Sequence, residues 1–304
     1  MGTATVRPWT RARRFDLPLS EVRLHVREWG PGDADVTIVL AHGWSLSSRI
    51  WEDVAALVVM ADPQVRVIAY DHRGHGDSTA APASIDVLAD DLAAIVAALV
   101  PTGPIVFGGH SLGGMTLMAL AERHPDIVAR RASAVALVAT SAGDLLGAIR
   151  RVPGMTRVLK LATWALSRVS APSSPLFLVR QGARGAFGAR PRRYDMNRAV
   201  RQTAQANPQT VASLGRSLLD HDRYHALGAF AETDVVIMAG TRDLLTSPAH
   251  TRRIAARLPR SKVVVYDKAG HFLPYERRES VAAHVLDLAA NARILLSPVA
   301  EAAG

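Results

Sequence analysis

The stretch IVFGGHSLGGMTLMALAERHP, residues 105–125, joins an apolar run to a helix-like run and places a serine at the junction. Four glycines surround Ser111, and two of them stand where the helix would begin. A glycine inside a helix costs roughly 0.5–1 kcal/mol relative to alanine. The segment therefore gives up stability, which indicates a close approach or a backbone conformation that larger residues do not allow.

Residues 109–113 match the pattern G-x-S-x-G between an apolar, strand-like run and a helical run. In that context the pattern predicts a strained strand-to-helix turn with an exposed serine hydroxyl. Gly109 and Gly113 supply the room, and Gly114 lets the helix approach the sheet. Backbone N–H groups and the dipole at a helix N-terminus favour developing negative charge. We therefore predict that Ser111 is a nucleophile on a sharp turn.

Short apolar runs alternate with helical patterns through most of the chain. Continuous apolar runs are typical of parallel strands that are covered on both faces. The alternation predicts an α/β fold with a doubly wound, mostly parallel sheet. Strands are predicted at 21–30, 35–43, 64–71, 104–110, 133–140, 233–240 and 261–267. Helices are predicted near 49–61, 84–100, 112–124, 248–258 and 275–291.

The alternation of strand-like and helical patterns stops after Thr140. The sequence that follows has helical and loop-like patterns and several prolines. We predict that residues 143–227 form a helical cap or lid inserted into a core of residues 20–142 and 228–293. Residues 1–19 and 294–304 are predicted to be loosely ordered ends.

The composition is that of an ordinary globular protein, with 304 residues, 49% hydrophobic and 21% charged. The absence of cysteine excludes disulfides, thiolate catalysis and cysteine-ligated zinc. The first residues lack the apolar run of a signal peptide, and no stretch offers about 18 uninterrupted apolar residues. We expect a cytoplasmic protein.

Positive charge is concentrated in residues 143–215, which hold twelve Lys or Arg and two Asp or Glu in a chain of net charge +9. This leaves two interpretations open: a solvated arginine-rich surface, or weak contact of a basic cap with an anionic membrane or substrate. No nucleic-acid-binding motif accompanies the charge, so we expect no nucleic-acid partner. The oligomeric state is not predicted.

A serine hydroxyl is a weak nucleophile, so it needs a neighbouring base and an acid that orients the base. Asp243 stands in the loop after the predicted strand 233–240, and His271 stands four residues past Asp267. Asp267 is the competing acid, but it lies on the strand that carries His271. We predict that Ser111, His271 and Asp243 act together.

A tetrahedral oxyanion needs two backbone donors near the serine. The N–H of Leu112 directly follows the nucleophile, and the N–H of Trp44 lies in the loop after an apolar run. Both are predicted oxyanion donors. The side chains of Trp44, Leu245 and Phe272 are expected to line the substrate pocket.

Five motifs stand in order along the chain: HGW (42–44), DHRGHGDS (71–78), GHSLGG (109–114), GTRDLLTSP (240–248) and GHFLPYERRESV (270–281). Through them the chain resembles the α/β-hydrolase superfamily from about residue 20 to 291, in particular its single-domain serine esterases, lipases and cofactor-free haloperoxidases. The resemblance implies an α/β-hydrolase fold, and the order Ser, Asp, His is the one this family uses. It also implies that no metal or cofactor is needed. The loop with Asp71, His72, His75 and Asp77 is structural in the family rather than a metal site.

The function implied is a serine hydrolase that cleaves short-to-medium acyl or lipid esters through an acyl-enzyme. A cofactor-free perhydrolase or haloperoxidase, a lactonase or a C–C bond hydrolase would use the same residues, and these alternatives stay open. Epoxide hydrolases and haloalkane dehalogenases of this fold are excluded, because they have an aspartate where Ser111 stands. A non-catalytic, ligand-binding member is less favoured, since no triad position is substituted.

Overall fold

The computed structural model describes residues 11–145 and 183–296, with side chains up to residue 294. The strands are β1 (Arg13–Pro18), β2 (Arg23–Trp29), β3 (Val36–Ala41), β4 (Val65–Tyr70), β5 (Ile105–His110), β6 (Ala132–Val138), β7 (Asp234–Gly240) and β8 (Lys262–Tyr266). They form one sheet in the spatial order β1-β2-β4-β3-β5-β6-β7-β8. The pairs β1–β2 and β2–β4 are antiparallel, and the other neighbours are parallel.

Nine helices lie in the described residues: α1 (Glu52–Ala61), α2 (Ile85–Leu99), α3 (Leu112–Arg123), α4 (Pro125–Arg131), α5 (Arg193–Gln205), α6 (Pro208–Leu219), α7 (Pro248–Ala255), α8 (Leu273–Glu276) and α9 (Arg278–Leu296). Short 3-10 turns cover Ser48–Trp51, Arg184–Ala186 and His225–Phe230.

Helices cover both faces of the sheet, as successive residues of β5 illustrate. Ile105 and Phe107 belong to the apolar cluster that includes α2 and α3, whereas Val106 belongs to the cluster that includes α1 and α9. All three side chains are buried. Because a strand directs alternate residues to opposite faces, a strand in this position must be apolar throughout. The doubly wound sheet predicted from the sequence is confirmed.

The sheet order reverses between β3 and β5, since β4 lies on one side of β3 and β5 on the other. Open α/β sheets bind ligands at the carboxyl ends of the strands at such a point. The loop after β3 carries Trp44, and the turn after β5 carries Ser111. The topology therefore brings these two predicted site residues to one crevice.

The prediction of a loosely ordered N-terminal end is wrong for residues 13–18, which form β1. This edge strand has little apolar periodicity because its side chains are exposed or half-buried. Cross-strand polar contacts hold it instead: Arg13 Nε donates to Glu28 at 2.7 Å, and Asp16 lies 3.0 Å from the ring of His25. At the other end, α9 continues to residue 296, beyond the predicted end at 291.

Residues 146–182 of the predicted cap lie outside the described residues, as do residues 1–10 and 297–304. Helices α5 and α6 occupy much of the remainder of the cap region. The division into core and cap stays a prediction. None of the helices in the described ranges has both the length and the apolar character needed to cross a bilayer.

Candidate active site

Ser111 occupies the turn between β5 and α3 with φ +54° and ψ −116°, a combination that non-glycine residues rarely adopt. Its N–H donates to the carbonyl of Val138 at 2.9 Å. Its own carbonyl accepts the N–H of Gly114 at 3.0 Å and the hydroxyl of Thr140 at 2.7 Å. These bonds to two neighbouring elements stabilise the strained conformation.

The glycines beside Ser111 are required by close packing. An added Cβ on Gly109 would lie 2.5 Å from the backbone of Gly113, and one on Gly113 would lie 2.2 Å from the carbonyl oxygen of Ala41. One on Gly114 would lie 2.6 Å from the hydroxyl of Thr140. The first turn of α3 therefore touches the ends of two strands, which accounts for the stability given up by the glycines.

Asp243 and His271 form a buried pair, with Oδ2 of Asp243 2.8 Å from Nδ1 of His271. The carboxylate also accepts the N–H groups of Leu245 at 2.8 Å and Thr246 at 2.9 Å, and the hydroxyl of Thr246 at 2.8 Å. Burial raises the pKa of Asp243, but attraction to His271 and these hydrogen bonds outweigh it and lower the pKa to about 2. An ionised Asp243 accepts from Nδ1–H of His271, which leaves Nε2 of the ring available as a base.

A cavity of about 550 Å³ lies beside Ser111 and His271, and both side chains line it. The three predicted pocket residues Trp44, Leu245 and Phe272 line it as well. Further apolar side chains complete the lining: Leu46, Met115, Leu145, Leu218, Leu219 and Leu244. No Lys, Arg, Asp or Glu occurs among the described residues of this lining. The cavity therefore favours uncharged, apolar groups.

The two candidate oxyanion donors, the N–H groups of Trp44 and Leu112, lie on neighbouring turns. Leu112 is the first residue of α3, directly after Ser111. In the other loop, an added Cβ on Gly43 would stand 3.2 Å from the Cβ of Ser111. The loop after β3 therefore reaches the turn that carries the serine.

His75 stabilises the residue that follows Trp44. The N–H of Ser45 donates to Nε2 of His75 at 3.2 Å, and Nδ1–H of His75 donates to the carbonyl of Arg73 at 3.0 Å. Burial lowers the pKa of His75, so the ring is neutral and Nε2 stays an acceptor. Ser45 has φ +58°, where non-glycine residues are uncommon. His75 thus supports a strained turn beside the candidate donor.

Residues 36–277 match the alpha/beta hydrolase fold family. The chain belongs to this family. It is 40% identical over 107 residues to a bifunctional esterase/perhydrolase of Acinetobacter calcoaceticus, a match that covers 34% of this chain and 37% of the relative. A non-heme haloperoxidase of Rhodococcus erythropolis is 27% identical over 278 residues, covering 86% of this chain and 93% of that one. An esterase of Thermogutta terrifontis has the same fold, with a TM-score of 0.75 and 23% identity over 92% of this chain and 99% of its own.

In these matches the chain spans little more than a third of the first relative and most of the length of the haloperoxidase. The family membership confirms the resemblance read from the five motifs. The relatives include an esterase/perhydrolase, a lipase and a haloperoxidase, so the similarity does not select one activity among them.

In this α/β-hydrolase, side chains of the motif DHRGHGDS (71–78) form hydrogen bonds with backbone groups of the neighbouring loops. Oδ1 of Asp71 accepts the N–H of Ser48 at 2.7 Å, and Oδ2 accepts the N–H of Asp77 at 2.9 Å. The N–H of His72 donates to Nε2 of His42 at 2.9 Å, while Nε2–H of His72 donates to the carbonyl of His42 at 3.1 Å. Burial lowers the pKa of both histidines well below its ordinary value, so both rings are neutral.

Two residues that support the loop of His271 were not predicted from the sequence. Nε2–H of His110 donates to the carbonyl of His271 at 2.8 Å. The carboxylate of Glu276 accepts the N–H of Gly270 at 3.1 Å and that of Gly188 at 2.7 Å. Both side chains bond to backbone groups, and neither motif pattern nor periodicity reports such contacts. The position of His110 beside the candidate nucleophile was the one available signal.

Proposed function

We propose that this α/β-hydrolase cleaves neutral carboxylic esters with short-to-medium acyl chains. The observation that carries the proposal is a buried Asp243–His271 pair whose histidine lines an apolar cavity together with Ser111. A carboxylate-oriented imidazole beside a serine on a strained turn is the arrangement that acyl transfer requires.

In the proposed reaction, Nε2 of His271 accepts the proton of Ser111 as Oγ attacks the ester carbonyl. The N–H groups of Leu112 and Trp44 hold the oxyanion of the tetrahedral intermediate. His271 then returns the proton to the departing alcohol, which leaves an acyl group on Ser111. Water attacks this acyl-enzyme while His271 takes its proton, and the carboxylic acid is released as the serine is restored.

The apolar lining supports the proposal that the cavity binds an uncharged acyl chain of limited length. Burial of each methylene contributes about 0.8 kcal/mol, so kcat/KM should rise with chain length while the cavity accepts further carbons. It should fall once the chain exceeds the space available. A charged acyl group would lose its hydration without gaining a partner from the described lining residues.

Perhydrolysis is the second candidate, because the relatives include an esterase/perhydrolase and a haloperoxidase. The same acyl-enzyme would be attacked by hydrogen peroxide instead of water, with release of a peroxy acid. The two activities differ only in the final acceptor.

The test is hydrolysis of p-nitrophenyl esters from acetate to palmitate by the parent protein, Ser111→Ala and Ser213→Ala. We expect a chain-length optimum in the parent, a loss of about 10³-fold or more in Ser111→Ala, and parental rates in Ser213→Ala, which changes a serine outside the cavity lining. Addition of peroxide reports peroxy acid formation from the same esters. Equal rates in the parent and Ser111→Ala, or no ester cleavage by a folded parent, would overturn the proposal.

A further inference from the structure

A second cavity of about 460 Å³ lies behind the loops that carry Asp243 and His271. It has no described lining residue in common with the apolar cavity. The ring of Phe187 lines the second cavity and stacks on Phe272 of the first, with centroids 4.4 Å apart. The two cavities therefore lie on either side of this pair of rings.

The second cavity differs from the first in charge. Six cationic side chains line it: Arg190, Arg192, Arg242, Lys268, Arg277 and Arg278. Three carboxyl groups face them: Asp195, Glu276 and Glu279. The formal balance of the described lining is therefore positive.

Two of the three carboxylates are already engaged. Asp195 accepts from Nη2 of Arg278 at 2.6 Å, and Arg278 also pairs with Asp53. The carboxylate of Glu276 accepts two backbone N–H groups, as described above. These carboxylates therefore do not neutralise the other cations of the cavity.

Three guanidinium groups are left without a described carboxylate partner, those of Arg190, Arg192 and Arg242. Within residues 11–145 and 183–294, no side-chain hydrogen bond or ion pair is described for them, and all three residues are exposed. Like charges that converge on one cavity repel each other, and a bound anion removes that repulsion. Guanidinium groups also offer the paired donors that match the oxygens of phosphate and carboxylate.

The backbone adds to this field, because the 19-residue helix α9 begins at Arg278 in the cavity wall. The N-terminus of a helix carries partial positive charge and favours anions. The carboxylate of Glu279, in the first turn of α9, offsets part of this positive potential. The three guanidinium groups without a described partner nevertheless exceed what one exposed carboxylate compensates.

We propose that this cavity binds a phosphoryl group of a small molecule. A phosphoryl dianion offers acceptor oxygens to several donors at once and so suits three arginines that have no partner in the described part of the chain, whereas a monocarboxylate matches one guanidinium fork. The bound group would connect the segment of Arg190 and Arg192 to the loop of Arg242. The site is separate from the proposed ester-binding cavity, so its test does not depend on ester hydrolysis.

The experiment titrates inorganic phosphate and pyrophosphate into the full-length protein by calorimetry, at constant ionic strength. Malonate and acetate are the comparison ligands. We expect saturable binding of pyrophosphate, with a Kd at least about tenfold lower than that of either carboxylate. Arg242→Gln and Arg190→Gln should each raise the Kd about tenfold, because each removes a charge-assisted contact.

Arg252→Gln is the matched control, since Arg252 is an exposed arginine that lines neither cavity. It removes the same charge and should leave the Kd within about twofold of the parent value, because its guanidinium group does not line the cavity and an exposed charge is screened by salt. Equal weakening by all three variants would assign binding to diffuse positive charge and overturn the proposal. Absence of saturable pyrophosphate binding, or equally tight binding of malonate, would overturn the phosphoryl assignment.

Discussion

At the scale of single residues, the two candidate acids of the sequence have different surroundings. Asp243 is buried against His271 and Thr246, and its pKa is lowered to about 2. Asp267 is exposed, and it lies 3.7 Å from the ammonium group of Lys268. The sequence favoured Asp243 because Asp267 lies on the strand that carries His271. In the structure the carboxylate of Asp243, rather than that of Asp267, lies 2.8 Å from the ring of His271.

Asp243→Asn should lower kcat for ester hydrolysis by about 10³–10⁴-fold, because the amide cannot stabilise the imidazolium of His271. The KM should change little, since Asp243 does not line the apolar cavity. Steady-state kinetics with circular dichroism as a check of folding measure both effects. Asp267→Asn is the control and should retain the parental kcat. A large loss in Asp267→Asn with activity retained in Asp243→Asn would reverse the assignment.

At the scale of elements, the turn between β5 and α3 depends on glycines in contact with backbone. Gly113→Ala would place a methyl group 2.2 Å from the carbonyl oxygen of Ala41, and neither β3 nor α3 can yield without moving Ser111. We expect a loss of about 1–3 kcal/mol in the free energy of unfolding together with a fall in kcat. Urea unfolding and ester kinetics measure the two.

Gly228→Ala provides the comparison, because an added Cβ there meets nothing within 4 Å. Its stability should stay within about 0.5 kcal/mol of the parent or rise slightly, since alanine restricts the unfolded chain. Equal destabilisation by the two substitutions would contradict the packing argument for the turn.

The elements that could be predicted are those whose burial leaves a pattern in the sequence. Strands such as β5 are covered on both faces and are therefore buried throughout, with a run of apolar residues at 105–107. Strand β1 escaped prediction because ion pairs such as Arg13–Glu28 hold an edge strand whose side chains are largely exposed. The hydrogen bond that Glu276 accepts from Gly188 could not be predicted either. The two residues are 88 positions apart, and every residue type except proline has a backbone N–H, so the sequence does not indicate which one is the donor.

The candidate site follows the same division. Ser111, Asp243 and His271 could be predicted because each follows a strand whose apolar run is evident. The hydrogen bonds between His42, after β3, and His72, after β4, could not be predicted, because they depend on how these two strands pair in the sheet. The two interpretations of the basic residues 143–215, a solvated surface or contact with an anionic membrane or substrate, both stay open, because residues 146–182 lie outside the described part of the chain.

At the scale of the whole molecule, buried histidines make stability depend on pH. Burial lowers the pKa of six of them below the ordinary 6.5, to about 3 for His110 and about 4 for His221; the others are His42, His72, His75 and His250. As pH falls below 6.5, the unfolded chain binds protons at these sites while the folded chain does not. For His221 the free energy of unfolding should therefore fall by about 1.4 kcal/mol per pH unit between pH 6.5 and about 4, and for His110 this fall should continue to about pH 3.

The lowered pKa of Asp243 acts in a different window. Its contribution to stability is present above pH 3.8 and is lost as pH falls through about 2, so it does not offset the histidines. Urea unfolding at pH 7 and pH 5 measures the slope. His221→Gln should reduce this slope by about one proton. Identical slopes in the parent and His221→Gln would contradict this explanation.

The contacts of residues 186–189 limit which segment of this fold could be replaced by recombination during evolution. Ala186 accepts the N–H of His271 at 2.8 Å, Gly188 donates to Glu276 at 2.7 Å, and Ala189 donates to Lys268 at 2.9 Å. These residues belong by sequence to the predicted insertion and by bonding to the loop of His271. A recombination crossover near residue 227 would carry this support away with the insertion, whereas one just before residue 186 would retain it. The segment that could be exchanged without losing these hydrogen bonds is therefore shorter than the predicted insertion of residues 143–227.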